Sequence, residues 1–269
     1  MDTGLQFLIG IILAILVSLA AWRLEALDKS GAIAAAITGG LIFGLGGVRW
    51  AALLLTFFIS SSALSRAFRG RKSSFTEKFA KGSRRDWGQV LANGGLGAVL
   101  AVLQALMPGQ IWPWMAYVGA MAAVNADTWA TEIGVLSRAA PRNILTWETA
   151  ERGASGAVSW LGNLATLLGA TLVAGIAALF SGGSALAVLL VGIVGGLFGS
   201  LIDSGLGATI QVIYWCPACE KETERNPLHL CGTPTEPLRG LAFFNNDVVN
   251  FACSLAGALA ALFVMVFLQ

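Results

Sequence analysis

Charge is scarce in this sequence. Only 12% of its 269 residues are Asp, Glu, Lys or Arg, whereas 56% are hydrophobic and the mean hydropathy is +0.74. A soluble domain carries about a quarter of its residues as charges. A water-facing surface of ordinary size is therefore excluded, and a bilayer is the solvent that fits. The formal net charge of +2 is too small to argue for nucleic acid as a partner. No segment matches GxxxxGK[ST], so a soluble nucleotide fold built on a P-loop is not supported. Apolar and polar residues do not alternate; the apolar runs are continuous, which argues for helices over barrel strands. The first run, Leu5 to Trp22, lacks a basic leader and a clear small-residue cleavage site, so it reads as a membrane span and not as a signal peptide.

What is present is a series of apolar segments near 4–22, 31–47, 49–65, 88–107, 114–136, 155–180, 185–213 and 242–268. At about 1.5 Å of rise per residue, each is long enough to cross roughly 30 Å of hydrocarbon when tilted or partly broken. The expected fold class is an all-α polytopic membrane protein of about eight transmembrane helices, forming a single domain over 1–269. The short, glycine-rich second segment is the one with a re-entrant alternative. With the N-terminus outside, the inside segments 23–30, 66–87, 137–154 and 214–241 hold 16 of the 17 basic residues and leave only Arg49 on the other side. Lys and Arg in short loops mark the cytoplasmic face. Ser30-Gly31 and Ser155-Gly156 each lead into an apolar segment, a faint internal echo.

Four acids interrupt the spans: Asp127 and Glu132 in the fifth, Asp203 in the seventh and Asp247 in the eighth. A carboxylate in hydrocarbon costs several kcal/mol unless paired, hydrated or bound to a cation. All four fall toward the basic face, and Asn93, Asn125, Asn245, Asn246 and Asn250 fall at the same depth. Such oxygen donors suit Mg²⁺, which takes one or two carboxylates and leaves its other positions to water and phosphates. The bland alternative is that these groups only hydrogen-bond helices together. Asn93-Gly94-Gly95 after Arg84, Arg85 and Gln89, the run Lys29-Ser30-Gly31, and the run Arg152-Gly153-Ala154-Ser155-Gly156 all lead into inside-facing helix starts. Helix N-termini with glycine amides and arginines would suit an anionic ligand. For the basic run 66–85, attraction to lipid headgroups is the simpler reading.

Cys216-Pro-Ala-Cys219 followed by His229-Leu-Cys231 forms a CxxC…HxC set in an inside loop. In a reducing compartment this spacing suits a structural zinc site whose four protein ligands leave no open position for catalysis. Free thiols beside an unconnected histidine are the alternative. Cys253, within the eighth span, reads as a packing residue.

The runs Ala126-Asp127-Thr128-Trp129-Ala130-Thr131-Glu132-Ile133-Gly134, Gly199-Ser200-Leu201-Ile202-Asp203-Ser204-Gly205-Leu206-Gly207-Ala208-Thr209-Ile210-Gln211 and Asn245-Asn246-Asp247-Val248-Val249-Asn250 together resemble an integral-membrane family that includes phytyl-phosphate kinase of tocopherol biosynthesis. Gln89-Val90-Leu91-Ala92-Asn93-Gly94 and Gly153-Ala154-Ser155-Gly156 look like the same family. The resemblance covers most of the chain. It departs at 152–156, where Arg152-Gly153-Ala154-Ser155-Gly156 stands in place of a Pro-Gly-Thr-Ser-Gly-like stretch.

The resemblance implies transfer of a phosphoryl group from a nucleoside triphosphate, CTP by expectation, to an isoprenyl monophosphate, giving the diphosphate. On this expectation Asp127, Asp203, Glu132 and Asn93 are the catalytic candidates, and Mg²⁺ would sit on Asp127, Asp203 and Asp247. Candidate substrate and nucleotide contacts are Lys29, Ser30, Arg84, Arg85, Gln89, Gly94, Thr131, Arg152, Ser155, Gly156, Ser204, Thr209, Asn245, Asn246 and Asn250. An acceptor phosphate is already ionised, so Glu132 is expected to support the metal site and not to take a proton. The expected location is a bacterial inner membrane with the site facing the cytoplasm. The alternative class is a transporter or flippase of polyprenyl phosphate or another anion, whose acids should lie near the membrane centre.

Overall fold

The computed structural model describes residues 3–68 and 84–268. Arg69, Arg71, Lys72, Lys78 and Lys81, assigned above to the loop 66–87, lie outside the described residues. The chain is a polytopic α-helical membrane protein. Among the described residues its helices are α1 (Thr3–Arg23), α2 (Lys29–Gly46), α3 (Val48–Ala67), α4 (Trp87–Leu106), α5 (Trp112–Gly134), α6 (Trp160–Ala178), α7 (Ala185–Thr209) and α8 (Asn246–Phe267). Seven are long and apolar enough to cross a membrane, α2 included. Its 18 residues reach about 27 Å at 1.5 Å per residue. Gly47, at φ 75°, then turns the chain straight into α3, a backbone angle that glycine adopts without steric cost.

The exception in composition is α5, whose second half carries Asn125, Asp127 and Glu132. It is the centre of the molecule: every residue from Pro113 to Ala126 is buried, and α3, α4, α6, α7 and α8 pack around it. Small residues make this possible. A Cβ on Gly119 would lie 2.4 Å from the Gly257 carbonyl oxygen, and one on Gly195 would lie 2.8 Å from the same atom. The backbones of α5, α7 and α8 therefore touch, which is how helices associate where burial of apolar surface gives no driving force. The outer faces carry the exposed apolar residues, such as Leu8, Ile12 and Leu16 on α1 and Leu255 and Leu259 on α8. In water such faces would aggregate; in a bilayer they are the lipid contact.

The helices alternate in direction, and their charged ends meet. The Asp28 amide donates to Arg85 O and the Arg85 amide to Ala26 O, both at 3.0 Å, which joins the starts of α2 and α4 to the end of α1. The Ser65 hydroxyl donates to Glu132 at 2.7 Å, joining α3 to α5, and Ser159 donates to Gly134 O at 3.3 Å, joining α6 to α5. Arg49 lies at the opposite end, its guanidinium 4.8 Å from the ring centre of Trp114, beside the stacked pair Trp50 and Tyr117.

Two connections at the charged end hold strands that the apolar pattern did not predict. Between α5 and α6, β1 (Arg142–Asn143) and β2 (Ala157–Val158) pair antiparallel. Between α7 and α8, β3 (Ile213–Cys216), β4 (Lys221–Thr223) and β5 (Glu236–Arg239) form an antiparallel sheet in the order β4-β3-β5. The seventh span was expected to reach residue 213 but ends at Thr209, because the Val212 amide leaves the helix to donate to Phe244 O at 2.8 Å. The sixth was expected to begin at 155, yet Ser159 is its N-cap, accepting from the Gly162 amide at 3.1 Å.

Candidate functional site

Asp127 and Asp203 come from α5 and α7, and their carboxyl groups approach within hydrogen-bonding range of each other. Oδ2 of Asp203 is sealed from the surface with no hydrogen-bond partner among the described residues. Asp127 lies seven residues before the end of α5 and Asp203 six before the end of α7, so both sit roughly 10 Å inside the charged end. They line a cavity of about 500 Å³ between α5, α6, α7 and the two strand-bearing connections. Thr131 shares that wall with Asp127 because residues four apart lie on one helix face. Ser204, Arg152, Ser155, Gly156 and Asn246 line it as well. Leu197 and Leu201 of α7 form part of the same lining and are 38% and 54% exposed, so the cavity has an apolar flank toward lipid.

The 152–156 segment is not a helix start but a loop pressed on the end of α7. A Cβ on Gly156, at φ 80°, would lie 2.5 Å from Ala208 Cα. Arg239 pins both pieces, donating to Gly207 O at 3.0 Å and to Ser155 O at 3.4 Å. Arg152 donates to Arg138 O at 3.0 Å from the rim. The Ser30-Gly31 and Ser155-Gly156 echo thus has no structural counterpart: Ser30 and Gly31 are inside the first turn of α2.

Glu132 is elsewhere. Five residues from Asp127, it points about 140° away around the helix. It accepts from Ser65, and its charge bears on Arg85. Arg85 in turn donates to the Ser61 hydroxyl at 2.9 Å. Arg85, Gln89, Asn93 and Gly94 line a second cavity, about 240 Å³ and almost wholly apolar, bounded by α1, α2, α3 and α4. Since α5 stands between the two cavities, depth along the membrane does not make these residues neighbours of Asp127. Asn93 donates to Gln89 O at 2.8 Å within its own helix.

The helix starts expected to bind an anion are already capped. Asp28 accepts from the Gly31 amide at 2.7 Å, and Asp86 and Gln89 form a capping box at the start of α4. Carboxylate caps occupy the free amides and repel phosphate. Ser30 donates to Asp28 at 2.7 Å and accepts from the Trp87 amide at 3.2 Å, Arg84 pairs with Glu25, and Lys29 is exposed. Asn245 is the N-cap of α8, accepting from Val248. Asp247 and Asn250 lie half-buried in the first turns of α8, and of that run only Asn246 is in the cavity lining. Thr209 bonds back to Gly205 O at 2.8 Å on an exposed face. Asn125 is a helix tie: fully buried, it donates to Gly169 O at 2.7 Å and accepts from the Ser60 hydroxyl at 3.0 Å.

Cys216, Cys219, His229 and Cys231 converge, with their ligand atoms all within 4.8 Å of one another. The Cys216 and Cys231 sulfurs are 3.6 Å apart, and His229 Nδ1 is 3.3 Å from the Cys231 sulfur. A tetrahedral site with zinc–sulfur bonds of about 2.3 Å requires sulfurs roughly 3.8 Å apart. The set therefore fits such an ion with small adjustments. Hydrogen bonding to Thr233 first, and to His229 second, pulls the Cys231 thiol down to about 6, while its hydrogen bond with Cys231 pushes Cys219 up to about 11.

Among the charged residues of the cavity, Glu224 is the one that belongs to no sequence motif. Glu224, just past β4, accepts from Gln211 Nε2 at 2.8 Å and from the Ser155 hydroxyl at 3.1 Å, and it lines the cavity of Asp127 and Asp203. A soluble-loop glutamate carries no signal of its own; only its place between the CxxC and HxC motifs singles it out.

Residues 12–258 match the family described as "Integral membrane protein DUF92". The chain belongs to the DUF92 integral-membrane family. This is the family, with phytyl-phosphate kinase among its members, that the motifs on α5, α7 and α8 resemble. Protein PGR of Arabidopsis thaliana is 33% identical over 280 residues, covering 93% of this chain and 94% of its own. An uncharacterized membrane protein of Methanocaldococcus jannaschii is 32% identical over 211 residues, 78% of this chain and 86% of its own. A Synechocystis membrane protein is 32% identical over 177 residues, 62% of this chain and 63% of its own. No solved structure matches the chain. The DUF92 match spans both acidic helices, the apolar cavity and the cysteine loop.

Proposed function

We propose that the protein is a membrane-embedded kinase that moves a phosphoryl group from a nucleoside triphosphate, CTP by preference, to an isoprenyl monophosphate. The observation that carries this reading is the pair Asp127 and Asp203, two carboxyls at contact with one oxygen unpartnered, in a cavity flanked by lipid-facing leucines. Two adjacent carboxylates away from water are unfavourable without a proton or cation between them. Their donor chemistry fits Mg²⁺, which when bound would neutralise charge on the phosphates.

The residues around the pair have roles consistent with that chemistry. Arg152 and the 153–156 backbone face the space where phosphates of a nucleotide would lie. Thr131 and Ser204 offer hydroxyl donors on the acidic wall, and Leu197 and Leu201 give an isoprenyl chain an apolar path from the bilayer. An oxygen of the acceptor phosphate attacks the terminal phosphorus of the nucleotide. The bond from that phosphorus to the bridging oxygen breaks, and the products are the isoprenyl diphosphate and the nucleoside diphosphate. The attacking oxygen is already ionised, so positioning and charge neutralisation suffice. The basic end faces the cytoplasm of a bacterial inner membrane in this reading, where nucleotides are available. The strand-bearing segments 137–154 and 214–241 and the loop 66–87 are then cytoplasmic, and the cysteine loop holds a structural zinc.

A carrier would hold its acids near mid-membrane and expose them alternately to both sides. Here both lie near one end, on helices whose backbones touch through glycine. The test is purified protein in detergent with Mg²⁺, a panel of nucleoside triphosphates, and prenols and prenyl phosphates of several lengths, with products weighed by mass spectrometry. A prenyl diphosphate formed from the monophosphate supports the proposal. No nucleotide consumption with any acceptor defeats it.

A further inference from the structure

We propose that Glu224 is the third carboxylate of the acidic cavity and that zinc in the cysteine loop is what holds it there. The proposal rests on the cation-binding reading of Asp127 and Asp203. Glu224 stands midway between two of the four zinc-ligand candidates, five residues after Cys219 and five before His229. On one side its backbone follows β4, which is paired to β3 through Tyr214 and Thr223, Trp215 and Glu222, and Cys216 and Lys221. On the other, Arg225 O accepts from the Thr235 hydroxyl at 3.0 Å. The Thr235 amide also donates to Pro227 O at 3.0 Å and the His229 amide to Thr233 O at 2.9 Å, ties made within the loop itself, and β4 has only three residues. A small unit of this kind gains its fold from a bound metal.

The loop delivers Glu224 to a defined place. Gln211, 2% exposed and just past the end of α7, donates to its carboxylate, as does Ser155 of the loop that faces the cavity. The charge of Glu224 bears on Asp203. Two helices and one loop thus bring three carboxylates to one cavity, a charge that calls for a divalent cation with oxygen ligands. Zinc is not part of the transfer: its four candidate ligands are protein side chains, and its contribution is to fix the position of Glu224.

Full-length protein in detergent tests this with Mn²⁺ as the probe, its affinity read by electron paramagnetic resonance, alongside zinc content per chain. Wild type is expected to carry one zinc. Glu224→Gln should keep that zinc and weaken Mn²⁺ binding about tenfold or more. Cys219→Ser should lose the zinc and weaken Mn²⁺ binding to the same extent, and the double variant should be no weaker than either single one. Where Cys219→Ser does not fold, chelator-treated wild type replaces it, and returning zinc should restore Mn²⁺ affinity. The proposal is overturned if Glu224→Gln binds Mn²⁺ within twofold of wild type, if zinc-free protein binds it normally, or if the two losses add. Asp203→Asn separates the failures. If it loses Mn²⁺ while Glu224→Gln does not, only the role of Glu224 falls; if it also binds normally, the cation reading of the cavity falls with it.

Discussion

Gly156→Ala probes how the 153–156 loop meets the end of α7. Gly156 has φ 80°, a conformation that costs an L side chain about 1–2 kcal/mol. The added Cβ would also lie 2.5 Å from the Cα, N and Cβ of Ala208, so two backbones must separate. Overpacking of that kind costs about 1–3 kcal/mol. Together they predict a loss of about 2–5 kcal/mol, or a loop that lifts off α7 and carries Ser155 away from Glu224. Ala208→Gly should not rescue it, because two of the three close atoms are backbone. Thermal unfolding in detergent gives the stability, and the KM for nucleotide gives the position of the loop in the proposed site. A Gly156→Ala protein with unchanged melting temperature and unchanged KM would refute the packing described for this loop.

Two further substitutions test the scaffold. Gly257→Val places a side chain where even a Cβ would lie 2.5 Å from the Ala123 Cβ and 2.7 Å from Gly119 O, so it should lower the melting temperature through a loss of at least about 1–3 kcal/mol; an unchanged melting curve would mean that α5 and α8 do not touch there. Asn125→Ala removes the donor to Gly169 O and the acceptor for Ser60, and should cost about 1–3 kcal/mol by denaturant titration while leaving divalent-cation binding intact. Lost cation binding with normal stability would move Asn125 from the scaffold into the site.

The helices were legible because hydrocarbon forces backbone groups to pair locally, which leaves apolar runs of unmistakable length. Depth was legible too, since charge marks one end. Depth alone does not fix position around a helix. Asp127 faces the acidic cavity while Glu132 turns toward Ser65 and Arg85, and the five-residue spacing already separates them. Asn93, six residues into α4, likewise shares a depth with Asp203 but lines the other cavity. The short strands left no periodic signal, because two to four residues are too few to show alternation. Glu224 was invisible for a different reason: a charged loop residue is ordinary until the fold lays it against Gln211 and Ser155 at the cavity.

The most direct measurement is the rate of isoprenyl diphosphate formation by purified wild type, Asp127→Asn and Asp203→Asn at saturating Mg²⁺. The Asn variants keep the side-chain volume and remove one of two adjacent charges, so melting temperatures should stay level or rise. The account predicts that each variant loses at least about a hundredfold in rate while remaining folded. Either variant working within about twofold of wild type would contradict the claim that this carboxylate pair is the phosphoryl-transfer centre.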